Sequence, residues 1–371
     1  MAKGIYVGVN NTARKVKNAY VGVDGKARKI KKGYIGVGGI ARQFFSSELV
    51  LSYYGTTAAL SVARNRLAAT TVGDYALFGG GRGSSYSKVL DTYTSNLVKG
   101  TTSDLSNTKS ELAATTVGDY ALFGGGSAGS GAERTTVDTY TSNLVKGTAT
   151  ALSVGRRGLT AITIGDYALF GGGTKNGNVT SSVDTYTSNL VKGTTSDLSK
   201  ARYNLASTVV GNYALFGGGY NEDSYFSTVD TYTSNLVKGT TSNLSNTKSQ
   251  LAATTVGNYA LFGGGSNDNE YFTEVDTYTS NLVKGTASSL NRGCEGSTAI
   301  TLGNYALFAG GVIQAYQYFV DSYDDNLIHA SQSNLSSAKA YLAATTVGDY
   351  ALFGGGRGSS YSNVVDVYQV I

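Results

Sequence analysis

Short apolar runs alternate with polar turn segments along most of the chain, and the same order of runs keeps returning. Residues 112–117 read Leu-Ala-Ala-Thr-Thr-Val, a stretch rich in β-branched residues, and residues 120–123 read Tyr-Ala-Leu-Phe, an apolar run ending in three glycines, 124–126. Between them stands Gly118-Asp119, a pair that accepts the positive φ of a tight hairpin turn. A polar segment follows, then Thr136-Val-Asp-Thr-Tyr140, a Thr-Ser-Asn turn and Leu144-Val-Lys146. Each run is strand-like in length and composition, so the unit is predicted to be four short antiparallel strands.

The unit recurs seven times. Its first glycine falls at Gly73, Gly118, Gly165, Gly211, Gly257, Gly303 and Gly348, in steps of 45, 47, 46, 46, 46 and 45 residues. A fixed period of that size marks an array of supersecondary units, and four antiparallel strands per period make one propeller blade. The last copy stops after its third strand, at Val364-Val-Asp-Val-Tyr368-Gln-Val-Ile371. Glu48-Leu-Val-Leu-Ser-Tyr-Tyr54 stands ahead of the first copy where other copies carry their fourth strand, so it is expected to complete blade seven and close the ring, removing the free sheet edges. The glycine triplets are expected to permit close backbone approach near the axis.

Composition agrees with an all-β chain: among 371 residues there are 50 Gly, no Pro, no Trp and 28 Tyr. One cysteine, Cys294, cannot form an intramolecular disulfide. No stretch approaches the roughly 18 apolar residues of a membrane span, and no secretory leader is expected at the start. Charge divides the chain in two. Residues 1–45 hold ten Lys and Arg against Asp24, for +9, and the remainder holds 20 basic against 24 acidic residues, for −4.

The basic segment is itself repetitive, with Tyr6, Tyr20 and Tyr34 spaced by 14 and Arg14, Arg28 and Arg42 spaced by 14. Turns at Asn10-Asn11, Asp24-Gly25 and Gly38-Gly39 predict three short hairpins. Forty-five residues of thin strands bury little apolar surface, so the module is expected to need another copy of itself or a larger assembly. Nucleic acid is not the expected partner, because strand alternation places these cations on one solvated or partner-facing surface. The tandem Tyr-Val-Gly-Val and Ala-Arg-Lys units resemble the short N-terminal repeats of structural proteins from phages and prophages of Gram-positive bacteria. That resemblance implies a virion attachment segment bound to other virion proteins, and the small buried surface of the module makes a homo-oligomer the expected state.

Residues 46–371 resemble kelch repeats. The copies keep the kelch double glycine at Gly79-Gly80 and its equivalents, with Gly310-Gly311 in the sixth copy, and the kelch tyrosine at Tyr93, Tyr140, Tyr186, Tyr232, Tyr278, Tyr323 and Tyr368. Leu97, Leu144, Leu190, Leu236, Leu282 and Leu327 stand where kelch repeats carry tryptophan. The expected fold is therefore all-β: a seven-bladed kelch-like β-propeller over residues 46–371, preceded by a basic β-hairpin module over residues 1–45.

Comparison of the copies locates candidate function. The turns joining strands one and two and strands three and four stay constant, whereas the segments joining strands two and three, and the blade-to-blade connections, vary. In an up-and-down blade those varying segments share one face. Three successive loops on it carry aromatics beside acceptors: Tyr220, Glu222, Asp223, Tyr225 and Phe226; Asn267, Asp268, Glu270, Tyr271 and Phe272; and Tyr316, Tyr318 and Phe319. Rings supply broad apolar contact and polar groups fix orientation, which suits a glycan or a protein ligand. Arg64, Arg66, Arg156, Arg157, Arg202 and Arg292 come from blade connections and are expected to line the same mouth, capping of local carbonyls being the alternative for some of them. Loop drift without a ligand is the bland account of the same variation.

Catalysis has no constellation to support it. The kelch enzymes of the copper radical oxidase type need His and Tyr ligands and a Cys cross-linked to Tyr, and one His with one Cys cannot supply them. Asp91, Asp138, Asp184, Asp230, Asp276, Asp321 and Asp366 recur identically, which points to a repeated structural hydrogen bond; paired glycosidase carboxylates would occur once, in unlike environments. No cofactor, metal or enzymatic activity is expected. The chain reads as a virion protein displaying a variable face to a host-surface glycan or protein; the alternative is a cytoplasmic kelch-type scaffold for protein–protein interaction.

Overall fold

The computed structural model describes residues 50–129 and 131–371 in full and, within residues 1–49, the backbone of six strands. Those six pair as antiparallel hairpins: Tyr6–Val9 with Thr12–Lys15, Ala19–Val23 with Lys26–Ile30, and Lys32–Val37 with Ile40–Ser46. The turn residues expected at 10–11, 24–25 and 38–39, and the first residues of the closing strand expected from 48, lie outside the described residues. Compactness divides the chain into one unit of Met1–Val50 with Ile371 and a second of Leu51–Val370.

The larger unit is a seven-bladed β-propeller. Its described residues form seven four-stranded antiparallel sheets, the first being Ala68–Val72, Tyr75–Gly79, Leu90–Thr94 and Lys99–Thr101. Each first strand packs against the first strand of the next blade, and Ala343–Val347 returns to Ala68–Val72, so the ring is closed. Closure is completed as the sequence predicts. Leu51–Thr57 pairs with Val365–Val370 as the fourth strand of blade seven, and Tyr53 Oη donates to Asp366 at 2.9 Å across the join.

The second strand shows why its sequence is nearly all apolar. Ala76 and Phe78 pack toward blade seven, against Leu352 and Val365, while Leu77 faces blade two, against Ala121, Phe123 and Tyr140. Both faces of the strand are thus buried between blades, and period-two alternation gives way to a continuous run. The tyrosine of each third strand is fully buried, and its hydroxyl donates to a backbone carbonyl of the preceding connection, as Tyr93 does to Ala58 at 2.7 Å.

One expectation is corrected here. The strand nearest the axis is the Ala-Ala-Thr-Thr-Val strand, and the first glycine of each triplet lies one strand further out. A Cβ on Gly124 would stand 2.7 Å from the Phe170 ring of the next blade. At this first glycine the missing side chain makes room for packing of the next blade's ring, whereas the second and third glycines do let backbone come close, a Cβ on Gly125 standing 2.7 Å from Arg156 O and one on Gly126 2.8 Å from Ser110 O. Around the axis itself, threonine hydroxyls link neighbouring first strands, as Thr115 with Thr163 at 2.8 Å and Thr208 with Thr255 at 2.8 Å.

Packing also explains why one face of the disc has not drifted. A Cβ on Gly73, in the first hairpin turn of blade one, would meet Ser142 Cβ of blade two at 2.9 Å, and the same close contact recurs between Gly118 and Ser188 and between Gly211 and Ser280. The constant turns are contact surfaces between blades.

Candidate functional site at the loop face and axial mouth

The two variable segments of each blade meet on one face, where backbone bridges join them: Asn65 to Arg82, Ser110 to Ser127, Arg157 to Thr174 and Tyr203 to Tyr220. One residue further along, the connections form a closed ring of hydrogen bonds about the axis. Glu111 N–H donates to Arg66 O, Gly158 to Glu111, Asn204 to Gly158, Gln250 to Asn204, Gly296 to Gln250, Tyr341 to Gly296 and Arg66 to Tyr341, all within 2.7–3.1 Å. The leucines that follow, such as Leu67, Leu112 and Leu159, are buried beneath it. The ring encloses a depression of about 220 Å³.

This register is filled unevenly: Arg, Glu, Gly, Asn, Gln, Gly and Tyr occupy equivalent places. All seven hold positive φ, with Arg66 at 51°, Glu111 at 56°, Gln250 at 54° and Tyr341 at 55°. For residues with a Cβ this costs on the order of 1 kcal/mol each, a cost the two glycines avoid. Leucines at 97, 144, 190, 236, 282 and 327 are also left-handed, at 59–61°, but there the same side chain packs partly buried in every blade that has the turn. At the mouth the strain supports five unlike side chains, Arg66, Glu111, Asn204, Gln250 and Tyr341.

The mouth side chains interlock. Arg66 pairs with Glu111 and stacks on Tyr341, 4.9 Å from the ring centroid. Arg157 Nη1 reaches Glu111 at 2.8 Å from the other side, so although burial raises the Glu111 pKa, the two guanidinium groups outweigh it and hold the carboxyl below its ordinary value. Across the axis Glu295 accepts hydrogen bonds from Gln250 Nε2 at 3.0 Å, from Tyr341 Oη at 3.1 Å and from Ser266 Oγ. Burial, then the Glu295 charge, push the Tyr341 phenol up to about 12.

The aromatic loops lie outside this ring, and the structure brings two of them together. Tyr220 stacks on Tyr225 with centroids 4.6 Å apart and on Tyr203 at 5.7 Å, and Tyr225 Oη donates to Asp268 of the next loop at 2.8 Å. Desolvation and that carboxylate raise the Tyr225 pKa to about 12. Glu222, Asp223, Asp268 and Glu270 are exposed, Asn267 and Phe226 half-buried, and Tyr271 stands 39% exposed. Tyr203, absent from the sequence-based set, belongs to this cluster.

Three placements differ from expectation. Phe272 is buried, with the Lys248 ammonium 5.8 Å from its ring, and is part of the blade core. In blade six the equivalent of Tyr225 and Tyr271 is Tyr316, which bridges to Val312 as they do to Tyr220 and Ser266; Tyr318 and Phe319 follow it, Tyr318 42% exposed and Phe319 covered by Arg292 at 5.1 Å. Arg156 and Arg202 do not line the mouth. Both are fully buried, each bonded at 2.8 Å to the recurring aspartate of its blade, Asp184 or Asp230. A guanidinium needs a counter-charge once out of water, and the aspartate supplies it. Arg64 is buried against Asp91 in the same way, whereas Arg66 and Arg157 do reach the mouth.

The recurring aspartates are the structural device their repetition suggested. Asp91 accepts from Arg64, Lys99 and both the N–H and the hydroxyl of Ser61. Among the described residues no group of three or more His, Cys, Asp or Glu is arranged to hold a metal ion. Cys294 is buried, and His329 is half-buried against Asp321.

These features define the class: a closed seven-bladed propeller with an asymmetric axial mouth. No family model matches the chain and no curated protein matches it, so its class rests on blade geometry.

Proposed function

We propose that this propeller is a non-catalytic binding module of a phage or prophage virion, attached to other virion proteins through its basic hairpin segment and presenting its loop face to a host-surface glycan or protein. The observation that carries the binding reading is the axial ring. Seven equivalent positions, all at positive φ, hold Arg, Glu, Asn, Gln, Tyr and two Gly around one depression, five of them at a conformational cost, while the leucines beneath and the turns of the opposite face stay nearly constant. Loops that drift without a ligand have no reason to concentrate strained Arg, Glu, Gln and Tyr at the axis. Tyr220, Tyr225 and Tyr271 extend that surface outward with stacking area.

The test uses the full chain on glycan arrays and on Gram-positive host cells. Binding that falls at least tenfold in Tyr271→Ala and Tyr341→Ala, with unchanged thermal unfolding, supports the reading. No binding, or binding indifferent to both substitutions, sinks it. Mass spectrometry of purified particles separates a virion protein from a cytoplasmic scaffold using the same face.

A further inference from the structure

Six blades share a buried ion pair that blade six lacks. Arg64 Nη2 stands 2.8 Å from Asp91 Oδ2, and the matching distances are 2.9 Å for Lys109–Asp138, 2.8 Å for Arg156–Asp184, 2.8 Å for Arg202–Asp230, 3.6 Å for Lys248–Asp276 and 2.7 Å for Lys339–Asp366. Every one of these cations is fully buried, and every one uses the same carboxylate oxygen, Oδ2. In blades one to four the cation also donates to the carbonyl of the second-strand phenylalanine, at 3.0–3.2 Å.

Cys294 occupies this position in blade six. Asp321 keeps its burial, at 5% exposure, but its Oδ1 is taken by His329 Nε2 at 2.7 Å and by Asn291 Nδ2, while Oδ2 meets only the backbone N–H of Asn291 at 3.3 Å. The space a lysine or arginine would fill is retained in part. A cavity of about 10 Å³, enough for one water-sized particle, is lined by Asp321, Cys294, Gln317 and Phe308, the last being the counterpart of the phenylalanines whose carbonyls receive the cation elsewhere. Arg292 and the Phe319 ring on which it stacks also line the cavity.

We propose that blade six binds a small monovalent cation, of the size class of potassium and ammonium, against Asp321 Oδ2 at the point where the other blades place a lysine or arginine head. Asp321 is the one carboxylate lining the cavity and offers a single negative charge, which suits a monovalent ion; a divalent ion would draw on more carboxylates. The Cys294 thiol adds no charge, since burial pushes its pKa up to about 12. Burial likewise raises the Asp321 pKa, and the His329 contact does not offset it, so this carboxylate remains short of the counter-charge its sisters have. The connection that carries Cys294 also delivers Glu295 and Gly296 to the axial mouth, so the bound ion would fix that corner of the mouth as ion pairs fix the others.

Thermal unfolding of the full chain in potassium, ammonium and choline chloride at equal ionic strength and pH 8 tests this. The wild type is expected to gain a saturable rise in Tm of about 2 °C at ten times Kd in potassium or ammonium over choline. Cys294→Lys should melt above the wild type in choline and lose the dependence, and Asp321→Asn should lose it as well. Equal Tm in the three salts for the wild type, or a potassium effect that survives in Cys294→Lys, overturns the proposal. Should Asp321→Asn fail to fold, rubidium-soaked crystals of the wild type decide: an anomalous peak against Asp321 Oδ2 is expected, and its absence is the contrary result.

Discussion

Asp138→Asn isolates the repeated ion pair as a source of stability. Asp138 and Lys109 are both fully buried, with Nζ 2.9 Å from Oδ2, and Ser106 donates its N–H at 2.8 Å and its hydroxyl at 2.5 Å to Oδ1. The amide keeps the shape and removes the charge, leaving an ammonium in the interior with only Phe123 and Thr136 oxygens at 3.2–3.5 Å and no anion in contact. Breaking a buried pair in this way costs about 3–5 kcal/mol. For the unit Leu51–Val370 unfolding as one body, that is a fall in Tm of about 5–7 °C, measured by calorimetry at pH 7. Replacing both partners, Lys109→Met with Asp138→Leu, should recover most of the loss, because the desolvation of two charges disappears with their attraction. Asp321→Asn in blade six strands no buried lysine or arginine, and its cost is that of hydrogen bonds to His329 and Asn291, about 1–2 kcal/mol. The pH limb follows from the same geometry. Burial raises the Asp138 pKa, but the Lys109 charge and the Ser106 and Lys109 hydrogen bonds outweigh it, so the folded value lies below the unfolded one. Its contribution is present at neutral pH and is lost as pH falls below about 4. Asp321 shifts the other way, so its contribution is greatest in acid and fades as pH rises through its folded pKa. Asp138→Asn should flatten the acid limb of stability and Asp321→Asn should not. Equal costs for the two single substitutions, or a double variant as unstable as Asp138→Asn, would refute the reasoning.

Gly124→Ala should destabilise by about 1–3 kcal/mol in chemical denaturation, since the new methyl stands 2.7 Å from Phe170 Cε1 and 3.0 Å from Cδ1, and a packed ring must move; Ala309→Gly, at the equivalent position of blade six, should change stability far less. Cys294 should resist thiol reagents at pH 8 until the propeller unfolds, because it is buried with its thiol pushed up to about 12, and rapid labelling of the native chain would contradict its placement.

Strand order, blade number and the closing strand were legible in the sequence because a repeat states its architecture seven times, and Leu51–Thr57 pairs where the missing fourth strand of blade seven requires it. The site was legible only by face. Arg64, Lys109, Arg156, Arg202, Lys248 and Lys339 fall in connections whose other residues change freely, and a charge in a varying loop reads as solvated. The signal that they are buried lies in a pairing across sequence: a cation at one register in six copies, matched to an aspartate 27–29 residues on in the third strand. Two residues beyond them, Arg66, Glu111, Gly158, Asn204, Gln250, Gly296 and Tyr341 look like the same kind of noise. Structure separates the two kinds of variation. Exchange of Arg for Lys at the first register preserves charge under full burial, whereas the second register preserves only its positive φ and its place in the hydrogen-bonded ring. A position that keeps a costly backbone while releasing its side chain is free to answer to something outside the fold, and that is why the axial ring, more than the aromatic loops around it, is where a ligand should be sought.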